Sequence, residues 1–429
     1  MSDKSIIVGY AGMTHLGLNS AVAAAERGFS MVCYDPDATR IDELAAGKLP
    51  VVEPDLPEML ARNAARIRFT SDAKALAACD VVYVAPDVPT DDVGGSDLAP
   101  LTALIEAVDR ALSANGILVI LSQVPPGFTR QLAPRLTRRS DQLFYQVETL
   151  IFGRAVDRAL NPERFILGCA DPAQALPAPF KAFLDAFVCP LLPMRYESAE
   201  LAKISINCCL VASVSVANTL AELCERIGAD WSEIAPSLKL DKRIGPYSYL
   251  APGLGISGGN LERDLATVVR MADEQGTDAG VVRAWIANSR YRKDWPLRTL
   301  HREVLDSNPD AKIAVLGLAY KEDTHSIKNS PSLALIEQLA PYALTVHDPV
   351  VPASAAPHPA AQGAATPLDA CQDADALLIM TPWKQFRSLT PAAVAAAMRG
   401  NIVIDPFRIL DPAAARAAGL HHITLGVPA

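Results

Sequence analysis

The sequence of 429 residues has no uninterrupted apolar run of about 18 residues, the length that a membrane-spanning helix needs. Its first residues contain no apolar segment of signal-peptide length. It also has no excess of basic residues, since 39 Lys and Arg stand against 48 Asp and Glu and the formal net charge is −9. Nucleic-acid affinity depends on clustered basic side chains. These absences predict a soluble protein with neither a membrane nor a nucleic acid as partner.

The eight cysteines include no Cys-x-x-Cys pair, the spacing that zinc sites and redox motifs commonly use. Several lie within apolar runs, where cysteine behaves as a small hydrophobic residue. The sequence therefore predicts reduced thiols in a cytoplasmic protein and no metal site. The cysteines are Cys33, Cys79, Cys169, Cys189, Cys208, Cys209, Cys224 and Cys371.

Short β-branched segments alternate with helical stretches in both halves of the chain. In the first half, residues 18–28 and 101–114 look helical between the segments SIIVGYA, SMVCYDP, DVVYVAP and GILVILS. In the second half the strand-like segments are AKIAVLGLAY, ALTVHDP, ADALLIMTP and NIVIDP. This alternation predicts an α/β fold with two doubly wound parallel sheets. The Pro- and Ala-rich residues 348–367 are interpreted as a surface connection, because proline breaks helices and sheet ladders.

A long helical segment, residues 198–228, separates the two α/β regions. Glu200, Lys203 and Asn207 are spaced by three and four residues, so they share one helix face. Taken alone, the two residues Lys203 and Asn207 would be interpreted as a solvated helix stripe. The following stretch is apolar almost all round and must be covered on every side, which predicts a homodimer.

The first strand-like segment leads into a glycine turn that is typical of dinucleotide sites. Gly12 suits a tight turn, Gly17 permits close helix packing, and the helix N-terminus suits a pyrophosphate. Asp35 follows the second strand, where an acid accepts hydrogen bonds from ribose hydroxyls and favours NAD over NADP. The alternative is an ordinary glycine-cornered turn between a strand and a helix.

Three further residues of this turn are candidate cofactor contacts. Thr14 stands at the central glycine position, where its Cβ could hinder a pyrophosphate and its hydroxyl could replace the lost contact. His15 is a candidate phosphate contact, and an exposed loop histidine is the equal alternative. Leu16 completes the predicted cofactor loop.

These stretches together resemble the UDP-glucose/GDP-mannose dehydrogenase family over nearly the whole chain. The matching segments are EPDL at 53–56, VPT at 88–90, ESAELAKISIN at 197–207, LDKRIGP at 240–246 and VLGLAYKEDTHSIKNSP at 315–331. The resemblance implies a cytoplasmic NAD enzyme that oxidises the C6 alcohol of a nucleotide hexose to a uronic acid. It also implies a Rossmann-like NAD domain at 1–196, a central helical dimerisation region with a substrate loop at 197–298, and a nucleotide-sugar domain at 299–429.

The family traps the intermediate aldehyde on a cysteine, as a thiohemiacetal that can lose a second hydride. In this sequence Asn260 stands at that cysteine, Arg263 replaces a lysine, and Asp264 is retained. An amide nitrogen cannot serve as the nucleophile, so Asn260 is predicted to bind or orient the substrate. None of the eight cysteines lies in the segment.

Other positions depart from the family pattern as well. Gln123 replaces a threonine that helps to hold a water, and Phe152 replaces the second of two glutamates, of which Glu148 remains. Phe407 replaces an arginine near the substrate phosphate, and Lys328 replaces another arginine with loss of its bidentate geometry.

The resemblance also implies the roles of single residues. Lys203 and Asn207 would donate to the oxygen that gains charge as a hydride leaves, and Asp264 or Glu148 would hold a water or take the hydroxyl proton. The further cofactor contacts would be Thr90, Gln123 and Lys328. The substrate contacts would be Lys321, Tyr249, Arg243 reaching across the dimer, and the backbone at Gly253, Gly255 and Gly258.

Three functions remain open at this point. The leading one is an NAD-dependent oxidation of a nucleotide hexose that stops after one hydride transfer. The second is full oxidation to the uronic acid through an aldehyde hydrate, and the third is a non-catalytic regulator that binds NAD and a nucleotide sugar.

Overall fold

The computed structural model describes residues 6–89, 91 and 94–428. It divides into two compact units, residues 1–206 and 207–429. The division falls inside one continuous helix, α8 (Tyr196–Ile227), which confirms the long helix predicted in this region.

The first unit is built on a sheet of eight strands in the order β3-β2-β1-β4-β5-β6-β7-β8. All neighbouring strands are parallel except β6 and β7, which are antiparallel. The strands are β1 (Ile7–Ala11), β2 (Ser30–Tyr34), β3 (Ile67–Thr70), β4 (Val81–Val84), β5 (Ile117–Ile120), β6 (Leu143–Gln146), β7 (Phe165–Cys169) and β8 (Leu191–Arg195). The order reverses between β1 and β4, and ligands bind α/β sheets at such a reversal.

Helices cover both faces of this sheet, so its central strands are hydrophobic on both sides. In β4, Val81 and Tyr83 belong to one core while Val82 and Val84 belong to the other. The helices are α1 (His15–Glu26), α2 (Ala38–Ala45), α3 (Leu56–Arg62), α4 (Ala99–Ala111), α5 (Phe128–Leu132), α6 (Ala155–Leu160) and α7 (Ala178–Asp185).

The four strands predicted in the first half are all present, and four others were missed. β8 was missed because it contains Pro193 and is largely exposed, so it lacks the apolar alternation of a buried strand. β3 lies at the opposite edge and includes the exposed Arg68. Edge strands are covered on fewer sides, so their sequences carry a weaker hydrophobic signal.

Helix α8 is long and apolar enough, by length and composition alone, to cross a membrane. Long core helices of soluble proteins pass the same test. Its apolar surface is covered unevenly, because Ala217 and Ala221 are buried while Val216, Leu220 and Leu223 are exposed.

The second unit begins with the rest of α8 and four further helices. These are α9 (Trp231–Leu240), α10 (Asn260–Gln275), α11 (Gly280–Lys293) and α12 (Trp295–Leu300). A small apolar cluster holds α10 and α11 against α8 through Val211, Ile256, Leu265 and Val282.

A six-stranded, all-parallel sheet forms the main core of this unit in the order β11-β10-β9-β12-β13-β14. Its strands are β9 (Lys312–Leu316), β10 (Ala343–His347), β11 (Gln362–Gly363), β12 (Ala376–Ile379), β13 (Ile402–Ile404) and β14 (His421–Ile423). The accompanying helices are α13 (Pro331–Gln338), α14 (Pro367–Ala370), α15 (Pro391–Ala397) and α16 (Pro412–Ala417). The predicted α/β class with two doubly wound sheets is confirmed. The surface connection 348–367 contributes the two-residue edge strand β11, which the sequence did not predict.

Candidate functional site

The turn after β1 has the close packing that a dinucleotide loop requires. Gly12 has φ +91°, and a Cβ there would lie 2.7 Å from the backbone nitrogen of Pro86. A Cβ on Gly17 would lie 2.0 Å from the carbonyl oxygen of Gly12. Both glycines are therefore sterically required, and the N-terminus of α1 opens at the end of the strand where a pyrophosphate binds. These features fit a dinucleotide.

Thr14 directly precedes α1, and its hydroxyl bonds to a neighbouring loop. Its Oγ1 accepts a hydrogen bond from the backbone N–H of Asp87 at 2.7 Å. The N–H of Leu16, in the first turn of α1, donates to the Asp87 carboxylate at 3.3 Å. Sequence reasoning missed Asp87, because nothing in its local pattern marks it.

Asp35 lies at the end of β2, as predicted, and its side chain is buried. Its carboxylate accepts from the N–H groups of Met13 (2.7 Å) and Asp37 (3.0 Å). It also pairs with the guanidinium of Arg40 at 2.9 Å. Arg40 was missed by sequence reasoning, although a basic residue five positions after the acid was a usable signal. A ribose at this position would lie next to both the Asp35 carboxylate and the Arg40 guanidinium.

The alternative of an exposed His15 is wrong, because the side chain is 7% exposed and enclosed on two sides. Its Nε2 lies 2.7 Å from the Glu53 carboxylate, and the Phe152 ring stacks on it with centroids 4.0 Å apart. Glu53 also accepts from the N–H groups of Gly153 (2.9 Å) and Ala155 (3.2 Å). Burial opposes the ionisation of Glu53, but the bonds from His15 and Gly153 outweigh it and lower its pKa.

Two predicted cofactor contacts have different outcomes. Thr90 lies outside the described residues. Gln123 is half-buried just after β5, next to Ser122, whose hydroxyl donates to the carbonyl of Pro86 at 2.5 Å. This bond ties the end of β5 to the loop that also packs on Gly12.

Lys203 and Glu148 form a nearly buried ion pair. Lys203 Nζ lies 2.6 Å from the Glu148 carboxylate and donates to the Glu148 carbonyl at 3.0 Å. The two side chains are 11% and 13% exposed, so the interpretation of Lys203 as part of a solvated stripe is wrong. The pair holds one possible proton donor and one possible proton acceptor next to each other.

Glu200, one turn earlier on α8, has a structural role. Its carboxylate accepts from the N–H groups of Gly127 (2.6 Å) and Thr129 (2.9 Å), and so holds the turn that begins α5. Burial raises its pKa.

In the second unit, Asn207 and Asp264 are bonded to each other. The Asn207 side-chain amide donates to the Asp264 carboxylate at 2.5 Å, and both residues are buried. Asn207 is therefore not part of a solvated stripe either. Asn260 is exposed as the first residue of α10, one turn before Asp264. Asp264 is therefore fixed by a hydrogen bond from α8, while the side chain of Asn260 is open to solvent.

The loop before α10 is held from two helices. The N–H of Gly253 donates to Asn218 on α8 at 2.8 Å, and the N–H of Ile256 donates to Ser289 on α11 at 2.7 Å. Gly255 has φ +75°, and a Cβ there would lie 2.4 Å from the Ser289 carbonyl oxygen. The close approach at Gly255 is thus to α11, which sequence reasoning did not foresee.

Gly258 joins this loop to the segment after β9. Its N–H donates to the Lys328 carbonyl at 3.1 Å, and a Cβ at Gly258 would touch the Tyr320 ring at 3.1 Å. The Lys321 ammonium lies 5.8 Å from the centre of the Tyr320 ring. Burial, followed by the charge of Glu322, raises the pKa of Tyr320 to about 12. Lys321 and Lys328 therefore flank the loop that leads to Asn260.

The remaining predicted contacts lie on exposed or unrelated surfaces. The Arg243 side chain is 89% exposed and pairs with Asp241 at 2.6 Å, and Tyr249 is about half exposed. Phe407 packs against the core of the second sheet, while Arg408 pairs with Asp230 at 3.3 Å. Within the second unit neither Arg243 nor Tyr249 is brought to the Asn207–Asp264 pair by a described contact.

Cys208, the cysteine next to Asn207, is not set up as a nucleophile. Cys208 follows Asn207 and packs against the cluster that includes Leu265. Burial, followed by the charge of Asp264, raises the pKa of the Cys208 thiol to about 11. The thiolate is the reactive form, so Cys208 is a poor nucleophile at neutral pH.

Sequence comparisons agree with this geometry. Profiles of the UDP-glucose/GDP-mannose dehydrogenase family match the chain three times, as the NAD binding domain at residues 6–184, the central domain at 197–290 and the UDP binding domain at 314–412. UDP-glucose 6-dehydrogenase of Pseudomonas aeruginosa is 31% identical over 439 aligned residues, covering 97% of this chain and 96% of the relative.

Structural comparisons give the same result. A UDP-glucose dehydrogenase from Pyrobaculum islandicum has a TM-score of 0.82 at 26% identity, covering 94% of this chain and 95% of its own. A UDP-D-ManNAc dehydrogenase from Pyrococcus horikoshii has a TM-score of 0.84 at 22% identity, covering 98% and 99%, which shows a shared fold.

Proposed function

The chain belongs to the UDP-glucose/GDP-mannose dehydrogenase family, and on that premise we propose that it oxidises a nucleotide hexose of the UDP-glucose type and stops after one hydride transfer. It is an NAD-dependent nucleotide-sugar dehydrogenase by family. The single observation that carries the one-step proposal is Asn260, the exposed first residue of α10, at the position of the family's cysteine. The relatives named above as UDP-glucose dehydrogenases support the proposed substrate class.

NAD fits the turn after β1, where Gly12 and Gly17 allow the strand, the turn and α1 to pack closely and Asp35 would accept from the ribose of NAD. Bound there, NAD would supply the acceptor for the hydride that leaves the alcohol carbon. Lys328, the predicted further contact, lies beside the loop at Gly258 in the second unit. Asp35 is a like charge to a 2′-phosphate, which supports NAD over NADP.

In the first unit, Lys203 would stabilise the negative charge that develops on the substrate, and Glu148 is a candidate proton acceptor. The Lys203 ammonium would donate to the substrate oxygen as negative charge develops there, an effect typically worth roughly 3 to 4 kcal/mol. Glu148, 2.6 Å from that ammonium, would be the alternative to Asp264 as the acceptor of the hydroxyl proton. The ion pair supports these roles because it holds both groups at fixed positions before the reaction.

Asn207, Asp264 and Asn260 would act in the second unit. Asp264 would hold a water or take the hydroxyl proton, and the Asn207 amide at 2.5 Å fixes its orientation. Asn260 would bind or orient the substrate, because its amide nitrogen is not nucleophilic. The raised pKa of Cys208 supports a reaction without a covalent intermediate.

Substrate binding is proposed for residues of the central and C-terminal regions, of which Arg243 and Tyr249 are exposed and Lys321 is half-buried. Lys321, Arg243 and Tyr249 would contact the nucleotide sugar. We also propose three functional regions: 1–196 for NAD, 197–298 for dimerisation and the substrate loop, and 299–429 for the nucleotide sugar.

The test is stoichiometry on a panel of nucleotide hexoses, with NADH and product mass measured for each sugar. We expect one NADH per sugar, a product two hydrogens lighter, and no covalent adduct. Lys203→Ala should lose most of the rate, while the exposed Lys74→Ala should not. Asn260→Cys alone should not restore uronic acid formation. Gln123 and Phe152 would still stand where the family has a threonine that helps to hold a water and a second glutamate.

Two NADH per sugar, with a product heavier by one oxygen and lighter by two hydrogens, would establish the hydrate route instead. NAD binding without turnover on any nucleotide hexose would establish the non-catalytic alternative.

A homodimer is proposed on α8. Val216, Leu220, Leu223 and Ile227 are 41–64% exposed and follow one another at spacings of three and four, so they form one apolar stripe. Light scattering at micromolar concentration should give the mass of a dimer, and Leu223→Asp should give a monomer. A monomeric wild-type protein would contradict the proposal, together with a role for Arg243 across subunits.

A further inference from the structure

An acidic side chain lies at the N-terminus of α1, where the pyrophosphate of a dinucleotide would bind. The loop that follows β4 places the Asp87 carboxylate 3.3 Å from the backbone nitrogen of Leu16, which donates to it. Leu16 belongs to the first turn of α1, whose N–H groups have no partners within the helix. They are the donors that a dinucleotide pyrophosphate uses.

Several contacts fix this placement. The N–H of Asp87 donates to Thr14 Oγ1 at 2.7 Å, so the threonine at the central glycine position anchors the loop. The preceding Pro86 lies 2.7 Å from the place that a Cβ on Gly12 would take, and the Pro86 carbonyl accepts from Ser122 at 2.5 Å. The loop is therefore bonded both to the glycine turn and to the end of β5.

A carboxylate and a pyrophosphate compete for the same donors and repel each other. The N-terminus of a helix carries a partial positive charge that stabilises one nearby anion. Asp87 is exposed, so its carboxylate can leave for solvent when a dinucleotide enters. The bond to Leu16 must then be given up, and a negative charge remains beside the bound anion.

We propose that Asp87 is an intramolecular competitor of the cofactor pyrophosphate and sets the affinity for NAD. Thr14 serves as its anchor, so the two residues act as a unit. The inference rests on the proposed binding of NAD at this loop. It predicts that removing the charge of Asp87 strengthens the binding of any ligand that carries the pyrophosphate, and of no ligand that lacks it.

The test measures binding of NAD, ADP-ribose and adenosine by calorimetry to the full-length wild type and to Asp87→Asn. We expect NAD and ADP-ribose to bind about tenfold tighter to the variant, with adenosine unchanged, because the helix N-terminus is no longer occupied by a carboxylate and the bound anion is no longer repelled by one. Asp42→Asn, on the exposed face of α2, is the matched control for the loss of one negative charge and should change nothing.

A second variant tests the anchor. Thr14→Val keeps the shape of the side chain but removes the acceptor of the Asp87 N–H. In its background, the gain from Asp87→Asn should fall to about threefold or less. An undiminished tenfold gain would overturn the role of Thr14.

The other outcomes separate this inference from the proposed function. If the wild type binds NAD and Asp87→Asn binds it no tighter, the inference is wrong and the dehydrogenase function stands. Tighter adenosine binding, or an equal gain from Asp42→Asn, would also overturn it. If neither the wild type nor any variant binds NAD or ADP-ribose, the inference and the proposed NAD site both fail.

Discussion

The two α/β units place the same turn after the first central strand of each sheet. Gly12 follows β1 with φ +91° and Gly317 follows β9 with φ +95°. The N–H of Gly12 donates to the Tyr34 carbonyl at 2.9 Å, and that of Gly317 donates to the His347 carbonyl at 2.8 Å. In each unit an acid at the end of the second strand, Asp35 or Asp348, then accepts from the residue after the glycine.

The two carboxylates differ in how many protein groups donate hydrogen bonds to them. The Asp35 carboxylate accepts from two backbone N–H groups and from the partly exposed side chain of Arg40. The Asp348 carboxylate accepts from four backbone N–H groups and the Trp383 indole at 2.6–3.1 Å. Asp348 therefore organises its own loops, whereas Asp35 can exchange a partner for a ligand.

The segments after the two glycines differ as well. In the first unit α1 begins at His15, three residues after Gly12, so its N-terminus is directed at the turn. In the second unit residues 318–330 precede α13, and this longer segment carries Lys321 and Lys328. The same backbone turn is thus followed by helix N–H groups in the first unit and by a segment with two lysine side chains in the second.

The largest expected effect tests whether the two glycines are equally required. Gly12→Ala and Gly317→Ala would each place a Cβ within 2.7 Å of neighbouring atoms at positive φ. We expect each to destabilise its unit by about 2 to 5 kcal/mol, from backbone strain and overpacking together. Urea unfolding measures the loss.

The control is Gly28→Ala. Gly28 has φ +96°, but no atom lies within 4 Å of the new Cβ, so this variant measures the cost of backbone strain without overpacking. NAD binding should be lost only in Gly12→Ala. A loss no larger than that of Gly28→Ala would show that the close packing is not required.

The next effect concerns the two acids. Asp348→Asn should cost about 3 kcal/mol, because whichever way the amide points its NH2 meets at least two N–H donors. Asp35→Asn should cost about 1 to 2 kcal/mol, since only the N–H groups of Met13 and Asp37 are fixed. Urea unfolding compares the stability of the two variants. Equal losses of stability would show that the number of donors to each carboxylate does not matter.

The smallest effect concerns cofactor choice, which only the first unit should control. The wild type should bind NAD in preference to NADP. Asp35→Ser should improve relative NADP binding by about tenfold, near 1.4 kcal/mol, because it frees the Arg40 guanidinium for a 2′-phosphate. Calorimetry with both cofactors measures the ratio.

The double variant Asp35→Ser, Arg40→Ala should lose that gain. Equal or tighter NADP binding by the wild type would show that Asp35 does not select the cofactor.

The class of the fold and the place of the cofactor turn were predictable, because both depend on local patterns. The central strands are hydrophobic on both faces, and Gly12 and Gly17 bracket a turn that few other residues can form. The edge strands β3 and β8 were missed, because they are only partly covered and carry no strong pattern.

Within the site, the sequence by itself determined which side chains were available: an acid after β2, a lysine and an asparagine one turn apart on α8, and Asn260 where a thiol was expected. Only the tertiary structure decided their partners. Lys203 pairs with Glu148, 55 residues earlier, and Asn207 with Asp264, 57 residues later. Asp87 reaches Leu16 across 71 residues, and His15 reaches Glu53 across 38. Charge and burial depend on which groups meet in space, and chain separations of this size leave no periodic trace in a sequence.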